Sequence, residues 1–155
     1  MLCTKGKDMW QVIYPGFVGG RTAVGLLLVR VVMGLAFILH GWPKIQQPMS
    51  WMPPEAPIPG ILQACAAVAE FGGGIALILG LLTPLAALGL AITMAVATFM
   101  VHIPAGHAFV PSKPGEPSFE LAAIYLVLSL LFILVGPGSL SVDALIFKPK
   151  GGGNA

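Results

Sequence analysis

Long apolar stretches alternate with short, proline-rich polar ones along this chain. The apolar runs cover residues 22–42, 58–82, 85–103 and 119–135, the last beginning nearer Pro117. Each approaches the roughly 20 apolar residues that a helix needs to cross the hydrocarbon layer. The pattern therefore predicts four spanning helices. Between the first two, Pro43, Pro48, Pro53, Pro54 and Pro57 stand with Trp42 and Trp51, which predicts a stiff, irregular loop with aromatic rings at head-group level. Leu82, Thr83 and Pro84 predict a tight turn, because proline favours a first helical turn and restricts the residue before it. Residues 104–117 form a second loop rich in Pro and Gly. Gly136, Pro137 and Gly138 stop the fourth helix, and Ser139 or Ser141 can cap a short amphipathic piece through Phe147. The expected fold class is all-α, an integral membrane up-down-up-down four-helix bundle. The expected organisation is an interfacial N-terminal segment at 1–21, a transmembrane domain at 22–147 and a disordered tail at 148–155.

Composition agrees: 57% of residues are hydrophobic and 9% charged, which excludes an ordinary soluble domain. The net charge of +2 comes without a basic run, so nucleic acid is not an expected partner and membrane lipid is. The first apolar run starts late and exceeds the about 7–15 residues of a signal-peptide core, so it is expected to remain as a span. Lys5, Lys7, Arg21, Lys148 and Lys150 flank the chain ends, against Lys44 and Lys113 in the two loops. The positive-inside rule then places both termini in the cytoplasm. Cys3 and Cys65 fall on opposite sides and form no CxxC pair. Cys3 is expected to be exposed and reduced, and Cys65 buried and structural.

Two ionised side chains interrupt the spans: Arg30 in the first and Glu70 in the second. A charge at the centre of a spanning helix costs roughly 2.5–3.5 kcal/mol. In an antiparallel hairpin both would fall roughly 15 Å from the connecting loop at a rise of about 1.5 Å per residue, so an Arg30–Glu70 ion pair is expected. Helix two presents Gln63, Ala66, Glu70, Gly73 or Gly74, and Leu77 on one stripe, and helix one presents Arg30, Gly34, Phe37 and Gly41. Two readings stay open: a packing seam whose ion pair fixes register, or a polar cavity in which Glu70 exchanges a proton.

A second cluster follows from topology. His40 ends helix one, His102 ends helix three, Glu120 opens helix four, and Trp42, Lys44 and His107 are near them in sequence. Glu120 also complements the dipole of its helix, and either histidine can simply bond a backbone carbonyl. A quinone head group would want a flat apolar slot with polar side chains at its carbonyls, which His40, His102, Glu120 and Tyr125 can supply. Haem would want two facing histidines, His40 and His102, and ranks below quinone. A metal would want three or more ligands at diagnostic spacing, so no metal site is expected.

The stretch Arg30-Val-Val-Met-Gly34-Leu-Ala-Phe37-Ile-Leu-His40-Gly41-Trp42-Pro-Lys44 resembles the first-helix motif of the DoxX family of small membrane proteins. Glu70-Phe-Gly-Gly-Gly-Ile-Ala-Leu-Ile-Leu-Gly80-Leu-Leu-Thr83 resembles its second helix, and Gly136-Pro-Gly-Ser-Leu-Ser-Val-Asp143 its C-terminal motif. The resemblance implies a four-span bundle in a bacterial inner membrane. It also implies a place in a redox or respiratory assembly, since relatives include a subunit of a thiosulfate:quinone oxidoreductase. With no cysteine pair, thiosulfate oxidation is not expected of this chain alone. Carried over by motif, Arg30, His40, Gly41, Lys44, Glu70 and Gly73 are the positions to watch. The expected function is an inner-membrane redox subunit binding a quinone or similar amphipathic ligand. Glu70 and His40 are its catalytic candidates, and Arg30, His40, Trp42, Lys44, Glu70, His102, Glu120 and Tyr125 its ligand-binding candidates. The alternative is a non-catalytic accessory subunit whose small-residue stripes pack against other membrane subunits.

Overall fold

The computed structural model describes residues 14, 16–55 and 58–147. Among the described residues five α-helices follow one another: α1 (Gly20–Gln46), α2 (Gly60–Leu79), α3 (Thr83–Val96), α4 (Glu120–Val135) and α5 (Val142–Phe147). α3 runs directly into a π-helical segment, Ala97–His102. α1, α2 and the combined run Thr83–His102 are each long and apolar enough to cross a membrane, and α4 is a shorter apolar helix of 16 residues. At about 1.5 Å per residue α4 covers roughly 24 Å, so flanking residues must complete its passage. The protein is a helical membrane bundle. The expected interfacial segment lies mostly outside the described residues, and the expected tail wholly so.

α1 is longer than the hydrophobic pattern suggests. It continues through Pro43 to Gln46, which puts Lys44 on a helix rather than in the loop. A proline so near a helix end sacrifices a single backbone bond, and the turns before it remain intact.

Glycines set how α1 meets α2. A Cβ on Gly34 would lie 2.6 Å from the Gly74 carbonyl oxygen, and one on Gly41 would lie 2.6 Å from the Phe71 nitrogen. The two backbones therefore touch, as small residues allow in lipid. This register corrects the expected Arg30–Glu70 pair. With Gly34 opposite Gly74 and Gly41 opposite Phe71, Arg30 falls beside Gly80 and Glu70 beside Lys44. The two charges thus lie about ten residues apart along the bundle, or roughly 15 Å. Equal depth for the two charges requires α1 to end near Gly41, whereas it continues to Gln46.

The α2–α3 turn is tight, as the Leu82-Thr83-Pro84 signal predicts. Gly80 caps α2 in the left-handed region at φ 65°. Leu82 is also left-handed at φ 47°, unusual for a branched side chain. What holds it there is Asp143, whose two carboxylate oxygens accept hydrogen bonds from Leu82 N (2.7 Å) and Thr83 N (2.8 Å). Asp143 N in turn donates to Gly80 O at 2.8 Å. The α5 segment is delivered by the Gly136-Pro137-Gly138 stop, and Ser141 Oγ accepts from Ala144 N at 3.1 Å as its cap. Residues 136–147 thus clamp the turn.

The core gathers Leu26, Met33 and Phe37 from α1, Leu77 from α2, Ala87, Leu90 and Met94 from α3, and Phe132 from α4. Outward faces carry large aliphatic residues such as Leu28, Val32, Leu39, Leu85 and Leu134, which suits contact with acyl chains.

Candidate functional site

At the end of the bundle away from the α2–α3 turn, the four long helices enclose a cavity of about 660 Å³. α1 contributes Phe37, His40 and Lys44, and α2 the stretch from Leu62 to Glu70. α3 with its π segment contributes Met94, Met100 and His102, and α4 contributes Tyr125. The wider π turn carries Ala97, Met100, Val101 and His102 to the cavity wall, a common use of such irregularities.

Its polar feature is an ion pair. Lys44 Nζ donates to both carboxylate oxygens of Glu70 at 2.6 Å. Glu70 is 2% exposed and Lys44 23%, so the carboxylate is held inside and the ammonium reaches the rim. Lys44 Nζ also lies 4.5 Å from the centre of the Trp51 ring, a favourable cation–π distance. The pair presents a donor and an acceptor to a mostly apolar space.

The first loop is stitched over the rim by Gln63. Trp51 Nε1 donates to Gln63 O (3.0 Å), Met52 N donates to Gln63 Oε1 (3.1 Å), and Gln63 Nε2 donates to Ile58 O (2.9 Å). Across the cavity, Tyr125 stacks at a tilt on Phe37, centroids 4.9 Å apart. His102 and His107 face each other through Nδ1 at 2.9 Å, so one imidazole donates to the other. His107 N also donates to His102 O at 3.1 Å, fixing the loop to the helix end.

Of the residues singled out from sequence, His40, Lys44, Glu70, His102 and Tyr125 all line this cavity. Arg30, Trp42 and Glu120 do not. Trp42 packs on Phe71 at 5.7 Å and points outward. Glu120 opens α4, beneficial at a helix start. Cys65 is exposed and lines the cavity, which corrects its expected burial: position 65 falls off the stripe that packs on α1.

Arg30 belongs to a second polar cluster at the turn end. It is fully buried, and its guanidinium donates to Leu77 O (3.3 Å) and to Leu140 O. Asp143 attracts it electrostatically. Tyr14 hydrogen-bonds Asp143, and its ring stacks with Phe17 and Phe147. Burial first, and the Asp143 charge and hydrogen bond next, push the Tyr14 hydroxyl well above the usual phenol range. This cluster welds the C-terminal segment to the bundle and leaves the cavity to the other end.

Sequence reasoning did not single out Trp51, Gln63 or Asp143 as site or clamp residues, and it placed His107 only near the second cluster. Gln63 and Asp143 did sit in patterns already noticed, the helix-two stripe and the C-terminal motif. Trp51 and His107 gave no spacing signal, because loops decide where they lie.

The DoxX family profile matches residues 25–103 of the chain. An uncharacterized protein of Haemophilus influenzae is 37% identical over 125 residues, covering 79% of this chain and 91% of that relative. The inner membrane protein YqjF of Escherichia coli is 32% identical over 131 residues, covering 81% and 94%. A Bacillus subtilis protein named "Putative oxidoreductase CatD" is 28% identical over 133 residues, covering 84% and 93%. No solved structure matches the chain.

Proposed function

The chain belongs to the DoxX family of membrane proteins, and we propose that it binds a quinone, or a flat amphipathic head group of the same chemistry, as the membrane subunit of a redox assembly. One observation carries this reading: an ion pair with a buried carboxylate, Lys44–Glu70, stands inside a mostly apolar cavity of about 660 Å³. A charge pair kept in a span at a cost of several kcal/mol calls for a use. The volume falls within the roughly 300–1,000 Å³ typical of small-molecule sites. The Bacillus relative's oxidoreductase name points the same way.

The donor set fits such a head group. When bound, a quinone takes up or releases electrons and protons at its two carbonyl oxygens. Lys44 is the donor for one carbonyl, held in place by Glu70 and by the Trp51 ring. His102 and Tyr125 stand on other walls of the same space, and His40 lies at the rim. Phe37 and Met94 supply apolar surface for the ring. In this reading Glu70 and His40 are the proton-exchanging candidates. The His102–His107 pair can hold a proton between its two Nδ1 atoms. Partner subunits supply the electrons. With both termini in the cytoplasm, as the charge distribution suggests, the cavity sits in the outer half of the membrane.

The accessory reading draws less support. Gly34, Gly41, Gly73 and Gly74, the small residues that would have served an outside partner, are spent on contacts inside the bundle.

The test is to purify the protein from its own membranes in mild detergent, extract the bound lipid and record the visible spectrum. Near-stoichiometric quinone that is lost when Ala66→Trp fills the cavity supports the proposal. A haem band that disappears with His40→Ala would replace quinone by haem, and a colourless, quinone-free protein would overturn the reading.

A further inference from the structure

We propose that the cavity opens to the bilayer, through a gap between α2 and the π-ended α3, and that its ligand carries a linear apolar tail lying in that gap beside Cys65. This rests on the quinone reading and adds the entry path and the tail.

α2 and α3 leave their shared turn as neighbours and touch at Ala69 and Gly89, where a Cβ on Gly89 would lie 3.4 Å from the Ala69 Cβ. Beyond that contact, residues on the facing edges do two things at once. Leu62 (55% exposed), Ile92 (57%) and Met100 (65%) line the cavity and also face outward, as does Cys65. A closed cavity would bury its lining. All four belong to membrane-spanning helices, so the surface they reach is lipid, and the opening they flank is lateral. Its walls are apolar: the one hydroxyl, Thr93 Oγ1, is turned back onto Gly89 O at 3.0 Å.

The water side is built the other way. The three Gln63 hydrogen bonds tie Trp51, Met52 and Ile58 across the rim, and Lys44 lies against the Trp51 ring. A ligand entering from water would have to break these contacts, whereas one entering from lipid displaces only acyl chains. Hydrocarbon in the gap loses nothing relative to hydrocarbon in the bilayer. The head group then finds Lys44–Glu70, and the tail remains between Leu62, Cys65 and Met100. The ligand class that fits is a membrane-borne quinone with a prenyl or alkyl chain, as opposed to a free, water-soluble ring.

Cys65 provides the test. The full-length Cys3→Ser variant is placed in lipid nanodiscs, and Cys65 is labelled with a lipid-soluble alkyl maleimide or a permanently charged methanethiosulfonate. Labelling is repeated with decylubiquinone and with duroquinone, whose fully substituted rings leave no free position for ready thiol addition. Binding of each is followed separately by tryptophan quenching. The expected result is labelling by the maleimide alone. It should slow about tenfold with decylubiquinone at roughly ten times its Kd, and should barely slow with duroquinone at equal occupancy. Rapid labelling by the charged reagent, or equal protection by both quinones, overturns the lateral gap. Binding of both without protection by either also overturns it, while leaving the quinone reading intact. If neither quinone binds, the quinone reading fails and this inference fails with it.

Discussion

Replacing Lys44 with Met should be the most damaging single change near the cavity. The Glu70 carboxylate is 2% exposed, and both of its oxygens are bonded by Lys44 Nζ at 2.6 Å. Without that ammonium a buried charge loses its partner, which costs about 3–5 kcal/mol. Glu70→Gln is milder, because Lys44 is 23% exposed and keeps the Trp51 face and the interfacial layer. A loss of about 1–2 kcal/mol is expected there. The double variant Lys44→Met with Glu70→Gln has no charge left to strand, so it should be more stable than Lys44→Met alone. The coupling energy should come out at roughly 2 kcal/mol or more. The assay is reversible unfolding in mixed micelles titrated with SDS, followed by circular dichroism. Additive losses, with a coupling under about 0.5 kcal/mol, would refute the idea that the pair is a single electrostatic unit.

Asp143→Asn removes one of two charge-assisted acceptors from the α2–α3 turn and weakens the hold on left-handed Leu82; about 2 kcal/mol of stability should be lost in the same unfolding assay. The fold favours the neutral hydroxyl of Tyr14, so its contribution is complete below the ordinary tyrosine value of about 10 and is lost as pH climbs through the higher folded value. Above about pH 10 the native protein should therefore lose stability faster than Tyr14→Phe, and parallel alkaline melting curves would contradict this. Gly34→Val forces a side chain into the Gly74 carbonyl and Ile78, so α1 and α2 must separate, at a cost of about 1–3 kcal/mol read as a lowered thermal midpoint in detergent. Gln63→Leu cuts two of the stitches on the first loop; amide exchange at Met52 should accelerate by about tenfold while the helix cores stay protected.

The helices were legible from the sequence because hydrophobic length is a strong signal in membranes, and the Pro and Gly stops gave most of the boundaries. The end of α1 was not, since Pro43 reads as a stop unless the chain beyond it is known to stay helical. That single turn governed the largest error. It moved Lys44 onto the helix beside Glu70 and sent Arg30 to the other end, where its partners are the carbonyls of Leu77 and Leu140. Backbone carbonyls carry no sequence signature, so a buried arginine invites a search for a carboxylate that is not its direct partner. Five of the eight ligand-binding candidates do converge on one cavity: helix ends and topology place His40 and His102 on one side of the bundle, and Tyr125 lies one turn into the helix that Glu120 opens. Asp143 lay in a recognised motif, yet nothing local says that it caps a helix some 60 residues earlier. Cys65 was misjudged since the outward face of a spanning helix is as apolar as its core, and burial cannot be told from lipid exposure by residue type.

The most direct test of the account is photolabelling with an azido-quinone bearing a decyl chain, in native membranes, with the cross-linked peptides mapped by mass spectrometry. The account predicts modification concentrated on residues 60–70 of α2 and on the π segment Ala97–His102, abolished by Ala66→Trp and competed by decylubiquinone. Label spread over the lipid-facing aliphatics of α1 and α4, such as Val32 and Leu134, and unchanged by Ala66→Trp, would contradict it.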